Sequence, residues 1–171
     1  ERGKLRELMT ASPGKAVVEL GVFEGATTKV LADAATWLGK TVYAIDPWDD
    51  RQDGATEEMY ERVRPELEAL GVKVIRQSSL EAPIPDDVGL VYIDGDHRHC
   101  LQDIERWWPA LVPGGVLVVH DVFDPGWPQV LADLRRWWVG TRPVHYLEYR
   151  PTEQEQREYQ HGLSGLAWIF K

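Results

Sequence analysis

The sequence contains one cysteine, Cys100, so no disulfide can form within the chain, which fits a reducing cytoplasm. It has no apolar run near the roughly 20 residues that a membrane span requires. Its strongest runs, Leu90–Ile93 and Val116–Val119, have the length of buried strands. Basic residues are outnumbered, 19 Lys and Arg against 28 Asp and Glu, for a formal net charge of -9. That balance argues against a nucleic-acid backbone as the main partner, because phosphate binding needs a basic face. No secretory signal opens the sequence, and it carries no low-complexity tract and no internal repeat. The dinucleotide fingerprint Gly-x-Gly-x-x-Gly is also missing, which leaves a nicotinamide-dependent oxidoreductase little support.

What is present describes one folded domain. The 171 residues are 43% hydrophobic, enough for a single core, and residues 1–171 read as one domain. Short β-rich runs alternate with amphipathic segments. Strands are expected at Ala16–Leu20, Thr41–Ile45, Val72–Ile75, Val88–Ile93, Val116–Val119, Pro143–Tyr149 and Gly165–Phe170. Helices are expected at Thr27–Leu38, Ala55–Leu70, Cys100–Leu111 and Pro128–Trp138. Pro65 predicts a kink or a two-part helix, and Pro113-Gly114-Gly115 a turn. Glu1–Met9 is expected to form a short helix over the sheet edge, and Pro151–Gln160 a polar loop or solvated helix. Alternating strands and helices imply an α/β fold with a parallel sheet and right-handed crossovers. The eight Trp include the pairs Trp107–Trp108 and Trp137–Trp138. On amphipathic helices they would cover the sheet; exposed, they would favour partner or oligomer contacts.

Open parallel sheets bind ligands outside the carboxyl ends of their strands, and the polar residues gather there. After the first strand comes Glu19-Leu20-Gly21-Val22-Phe23-Glu24-Gly25-Ala26-Thr27. Its glycines allow a tight turn and a close ligand approach, while Glu19 suits a cationic ligand end; an ordinary strand-to-helix turn is the plain alternative. After the second comes Asp46-Pro47-Trp48, an acid able to take both ribose hydroxyls and a ring able to flank adenine, or else a helix cap with a core Trp. Ser78 and Ser79 after the third strand offer hydroxyls or form a simple turn. Asp94, Asp96, His97 and His99 follow the fourth strand, and His120 and Asp121 the fifth. Asp94 and Asp121 would be neighbours, and paired carboxylates need a cation or proton between them. Mg²⁺ would serve, with His120 shifting preference toward a transition metal. The alternative is helix capping by Asp94 or Asp96 and a structural His120. Cys100 as a nucleophile lacks a visible oxyanion arrangement, and His145 and His161 have no comparable context.

Through VVELGVFEGATT, YAIDPWD, VYIDGDH and WWPALVPGGVLVVHDV, the chain resembles the class I S-adenosylmethionine (SAM)-dependent methyltransferases. The later motifs resemble the small-molecule O-methyltransferases related to macrocin and mycinamicin sugar O-methyltransferases, a pattern shared with cephalosporin hydroxylase-like proteins. The resemblance implies a Rossmann-like sandwich with a mixed seven-stranded sheet, mostly parallel, whose last strand is antiparallel and whose two faces carry helices. It implies that Glu19, Gly21, Phe23, Gly25 and Thr27 hold the methionine end of SAM, that Asp46 binds the ribose, and that Pro47, Trp48, Ser78 and Ser79 surround the adenine. It places Asp94, near the SAM amino group, with His120 and Asp121 as metal positions, and His97 as the catalytic base. His120 departs from the pattern, since related sugar enzymes carry an acid there.

The function implied is methyl transfer from SAM to a hydroxyl of a small molecule, assisted by Mg²⁺ or another divalent cation, in the cytoplasm, with neither nucleic acid nor membrane as partner. A metal-independent methyltransferase of the same fold and a non-catalytic SAM-binding protein are the alternatives. The short segments Asp49–Ala55, Asp124–Gly126 and Pro151–Gly162 leave little cap over the acceptor, which is compatible with a pocket completed in a homo-oligomer.

Overall fold

In a computed structural model of the chain, residues 1–49, 56–150, 152 and 164–171 are described. They form helices α1 (Arg2–Ala11), α2 (Ala26–Leu38), α3 (Glu57–Ala69), α4 (Cys100–Trp107) and α5 (Pro128–Trp137). The strands are β1 (Ala16–Leu20), β2 (Thr41–Ile45), β3 (Lys73–Ile75), β4 (Val88–Ile93), β5 (Leu111–Val119), β6 (His145–Tyr149) and β7 (Ser164–Phe170). They build one sheet of order β3-β2-β1-β4-β5-β7-β6. Strands β1 to β5 pair in parallel, and β7 runs antiparallel to both β5 and β6. The order reverses between β1 and β4, so the crevice that such a sheet offers a ligand opens above those two strands.

The central strands form because both of their faces are covered. Every residue of β1 and β4 is buried, which is why neither alternates: β4 is apolar throughout and β1 is apolar but for Glu19. Successive side chains then enter opposite layers. Val17, Leu90 and Val116 join Leu5, Leu8 and Met9 of α1, Leu31 and Ala35 of α2, and Val63 and Leu67 of α3. Val18, Val91 and Leu117 join Ile104 and Trp107 of α4 and Val130 and Leu134 of α5. Helix α2 stops at Gly39, which adopts the left-handed conformation that a helix end commonly requires. Helix α3 starts at Thr56, whose hydroxyl accepts the Met59 N–H at 3.2 Å.

Three local expectations are corrected, and one of the two alternatives at Pro65 is removed. Helix α1 packs on α2 and the central strand β4, so it lies over the middle of the sheet and not over its edge. Pro65 sits inside a single helix, not between two. Pro113-Gly114-Gly115 lies within β5, where the register shifts: Leu111 pairs with Val88 and Val116 with Leu90. The fourth helix ends at Trp107, because Trp108–Ala110 already turn into β5. Trp107 is fully buried under the sheet, while Trp108, Trp137 and Trp138 pack ring to ring at 5.3–5.5 Å, so the paired Trp do cover that face. Most of the segment 151–163, including His161, and residues 50–55 lie outside the described residues. Among the described residues no helix is long and apolar enough to cross a membrane.

Candidate active site

The loop leaving β1 is forced against the loop leaving β4. Gly21 has φ +86°, and a Cβ added there would sit 2.3 Å from the carbonyl oxygen of Asp94, so only glycine allows this approach. Glu19, on β1 beneath the loop, is 1% exposed, and its Oε2 has no hydrogen-bond partner. Burial pushes its carboxyl well above the ordinary 4.5, with the charges of Asp94 and Asp46 adding to the rise and Thr28 partly offsetting it. A buried, unsatisfied carboxyl at a strand end is the feature a cationic ligand group would relieve. Phe23 holds a left-handed backbone, φ +52°, and is 46% exposed. Gly25 begins α2 with the same handedness against Val63 and Leu67, and Thr27 lies half-buried in the first turn.

Asp46 is 6% exposed and its carboxylate is bound by backbone amides. The N–H groups of Val22 and Phe23 donate to Oδ2 at 2.8 and 3.0 Å, and that of Trp48 donates to Oδ1 at 2.8 Å. In this conformation Asp46 ties the two loops together at the crevice, where the resemblance puts the ribose. Trp48 takes the core position offered as the alternative to an adenine contact. Its ring is fully buried, stacks at a tilt on Tyr60 with centroids 5.1 Å apart, and donates its N–H to the Phe23 carbonyl at 3.1 Å. It is a core residue in this conformation, because its left-handed backbone, φ +44°, turns the ring down into the α3 layer. Pro47 is half-buried above it, and its carbonyl accepts from Arg76.

Ser78 spends its hydroxyl inside its own turn, accepting the Leu80 N–H at 3.3 Å. The Ser79 hydroxyl donates to Asp103 of α4 at 2.6 Å. Burial raises the Asp103 carboxyl from 3.8 to about 6, against the opposing bond from Ser79. Cys100, at the start of the same helix, is buried and its thiol is pushed up to about 12 by burial, which suits packing and not nucleophilic chemistry.

The titratable residues that follow β4 and β5 come together as one network. Asp94, His97 and Asp121 bring ligand-type atoms within 4.8 Å of one another, a group able to hold a metal ion. His97 Nε2 lies 3.0 Å from Asp121 Oδ2, and its ring stacks on Trp127 with centroids 4.9 Å apart and planes 13° from parallel. His120, expected as a ligand, is not in that group. It is wedged between the acids instead, with Nδ1 3.0 Å from both Asp94 Oδ1 and Asp121 Oδ1 and Nε2 3.3 Å from Glu1 Oε2. Burial alone would lower its pKa, but the charge of Asp94, with Asp121 and Glu1, holds it well above 6.5. These acids favour the protonated form of His120, which would be a cation between the two carboxylates. Asp121, although burial disfavours its charge, is kept ionised far below the ordinary range by His120 and His97.

Three members of the network were not anticipated from the sequence. Tyr92 donates to Asp94 Oδ2 at 3.1 Å from two residues back along β4; burial and the charge of Asp94 raise its phenol well above 10. Glu1 reaches His120 and accepts from Ser164 at 3.1 Å, contacts between the two ends of the sequence. Trp127 approaches His97 from the start of α5. Only the occurrence of an aromatic shortly after Asp121 could have pointed to it.

A family profile described as a methyltransferase domain matches residues 18–122, which span β1 to the loop after β5 and contain every predicted site residue. No curated protein matches the chain. Solved structures align along nearly all of it. An rRNA methylase from Streptococcus thermophilus is 19% identical, with 99% of this chain and 93% of that one covered and a TM-score of 0.67. CalS11, a TDP-rhamnose 3'-O-methyltransferase of calicheamicin biosynthesis, is 15% identical over 99% of this chain and 76% of its own, with a TM-score of 0.72. The O-methyltransferase TomG from Streptomyces achromogenes, solved with SAM, is 19% identical over 98% and 78%, with a TM-score of 0.63. At such identities the structural likeness speaks for the fold, and the profile speaks for the family. The chain belongs to the methyltransferase-domain family, with the mixed seven-stranded sheet of the class I SAM-dependent methyltransferases.

Proposed function

We propose that this chain transfers a methyl group from SAM to a hydroxyl oxygen of a small molecule. One observation carries the reading: the buried, unsatisfied Glu19 lies beneath the β1 loop and beside Asp94, which also belongs to the Asp94–His97–Asp121 group. A cofactor site and an acid–base site thus share one wall. SAM supplies a methyl already activated on a sulfonium, so the protein's work is positioning and preparing the acceptor. Glu19 offers a buried negative charge to the cationic amino-acid end, and Gly21 lets that end approach the backbone. Asp46 holds the Val22–Phe23 amides in register with the Trp48 turn.

His97 is the base. Asp121 Oδ2, 3.0 Å from His97 Nε2, orients the imidazole and favours its protonated form once it has taken the proton. The stack on Trp127 fixes the ring plane. Asp94 and Asp121 fit a divalent cation with oxygen ligands; they would hold it, and it would supply Lewis-acid polarisation of the acceptor hydroxyl. A second reading has its own observation. With a proton on it, His120 puts one positive charge between Asp94 and Asp121 and offsets part of their repulsion, as a metal-independent enzyme would need.

Two measurements decide. His97→Ala should abolish turnover and leave S-adenosylhomocysteine (SAH) affinity unchanged; retained turnover removes His97 as the base. Dialysis against EDTA should abolish activity, and Mg²⁺ should restore it. Activity that survives EDTA assigns the charge-offsetting role to His120.

A further inference from the structure

The connection from β3 to β4 meets the sheet edge beside Asp46, whose N–H donates to the Ile75 carbonyl at 3.2 Å. Its turn is closed on itself: Glu81 and Ala82 both donate to the Ser78 carbonyl. What fixes this turn against the rest of the protein is one face of α4. Asp103 accepts the Ser79 hydroxyl at 2.6 Å. Trp107 donates its indole N–H to the Ser79 carbonyl at 3.1 Å. Arg106 donates to the carbonyls of Ser79 and Ala82 at 3.2 and 2.7 Å. The spacing 103, 106, 107 puts all three on one helical stripe. Asp103 is the costly member, a carboxylic acid 1% exposed. Its bond to Ser79 has the short length of a charge-assisted O–H···O contact, which confers direction as well as strength. Helix α4 itself follows directly on the Asp94–His97 segment, so the same element anchors the acid–base group and the turn.

We propose that Asp103, acting through Ser79, is a positioning residue for the adenosine end of the cofactor. It holds the turn carrying Ser78 and Ser79 at the depth that lets its backbone meet the base. This rests on the SAM reading above. The nearby charged groups are Asp96, His99 and Arg106.

The test is calorimetric titration of the full chain with SAH and, separately, with adenosine. Asp103→Ala should weaken both by a common factor of about tenfold, the worth of one lost hydrogen bond. Asp103→Asn retains an acceptor for Ser79 and should recover both affinities to within about threefold. Ser79→Ala repeats the test with a smaller perturbation should Asp103→Ala fail to fold. A merely structural role would lower the melting temperature of Asp103→Ala and Ser79→Ala and leave both affinities within about twofold of the unaltered chain, which overturns the proposal. Failure of the unaltered chain to bind SAH overturns the SAM reading and this inference with it, and it is seen before any variant is made.

Discussion

Replacing Glu19 with glutamine should make the empty protein more stable and its cofactor binding weaker, opposite effects from one atom pair. The side chain is 1% exposed, one carboxyl oxygen is unpartnered, and Asp94 and Asp46 add repulsion. Leaving such a group buried and unsatisfied costs about 1–3 kcal/mol, and the isosteric amide removes the charge without opening a cavity. For a chain of this length that corresponds to a rise in melting temperature of about 2–10 °C. The sign of the pH dependence follows from the raised pKa. The protonated carboxyl of Glu19 and the amide that replaces it are both neutral, so the two proteins melt together at low pH. Unaltered protein loses stability as pH climbs above the ordinary 4.5 and through the raised folded value, and the gap in favour of Glu19→Gln widens. Binding should move the other way. A charge-assisted contact to the amino end of SAH is worth roughly 1.5–3 kcal/mol, so affinity should fall about 10- to 150-fold. Because Glu19 must be ionised to make that contact, the proton it holds below its raised pKa is released on binding, read as a dependence of calorimetric heat on buffer ionisation enthalpy. Melting curves at pH 5 and pH 8 and titrations in two buffers make the assay. A variant less stable at pH 8, or one that binds SAH as tightly as the unaltered protein, refutes the role given to Glu19.

Two further substitutions test other parts of the site. Asp103→Asn removes a carboxyl whose folded pKa of about 6 lies above its ordinary 3.8, with Asp96, His99 and Arg106 around it. The unaltered protein should therefore lose stability relative to the variant as pH rises from about 4 to 7, by at most about 3 kcal/mol, and urea melts that show no such divergence contradict it. Gly21→Ala drives a methyl group to 2.3 Å from the Asp94 carbonyl and imposes a left-handed backbone on a residue with a Cβ. The conformation alone costs about 1–2 kcal/mol, and the backbone shift should separate the β1 and β4 loops. SAH affinity should fall by more than about tenfold together with a lower melting temperature, and unchanged affinity would show that the two loops need not touch.

The parts of the fold that were legible are those fixed locally. β1, β2 and β4 begin and end where they were expected, because runs such as Ala16–Leu20 and Val88–Ile93 are buried on both faces and end at polar or glycine residues. The mixed seven-stranded sheet with its antiparallel last strand came through the family resemblance, and Asp94 and Asp121 do converge because β4 and β5 are neighbours. What was not legible depends on where a side chain turns after its strand ends. Trp48 and Ser79 occupy the expected strand ends, but a left-handed backbone sends one ring into the core and a bond to a helix 24 residues on engages one hydroxyl. His120 carries the same lesson. Its place beside Asp121 in the sequence suggested a ligand, whereas its ring lies between the two acids and, protonated, would be their counter-charge. Asp103 drew no notice in the sequence, since nothing in a helical period announces that a buried acid has a serine as its partner.

The central claim is that the crevice over β1 and β4 is a SAM site built on Glu19. Calorimetric titration of the purified chain with SAH measures it most directly. Saturable binding of one SAH per chain, markedly weakened by Glu19→Gln, is the expected result. No heat at any accessible SAH concentration, together with no rise in melting temperature, would contradict it.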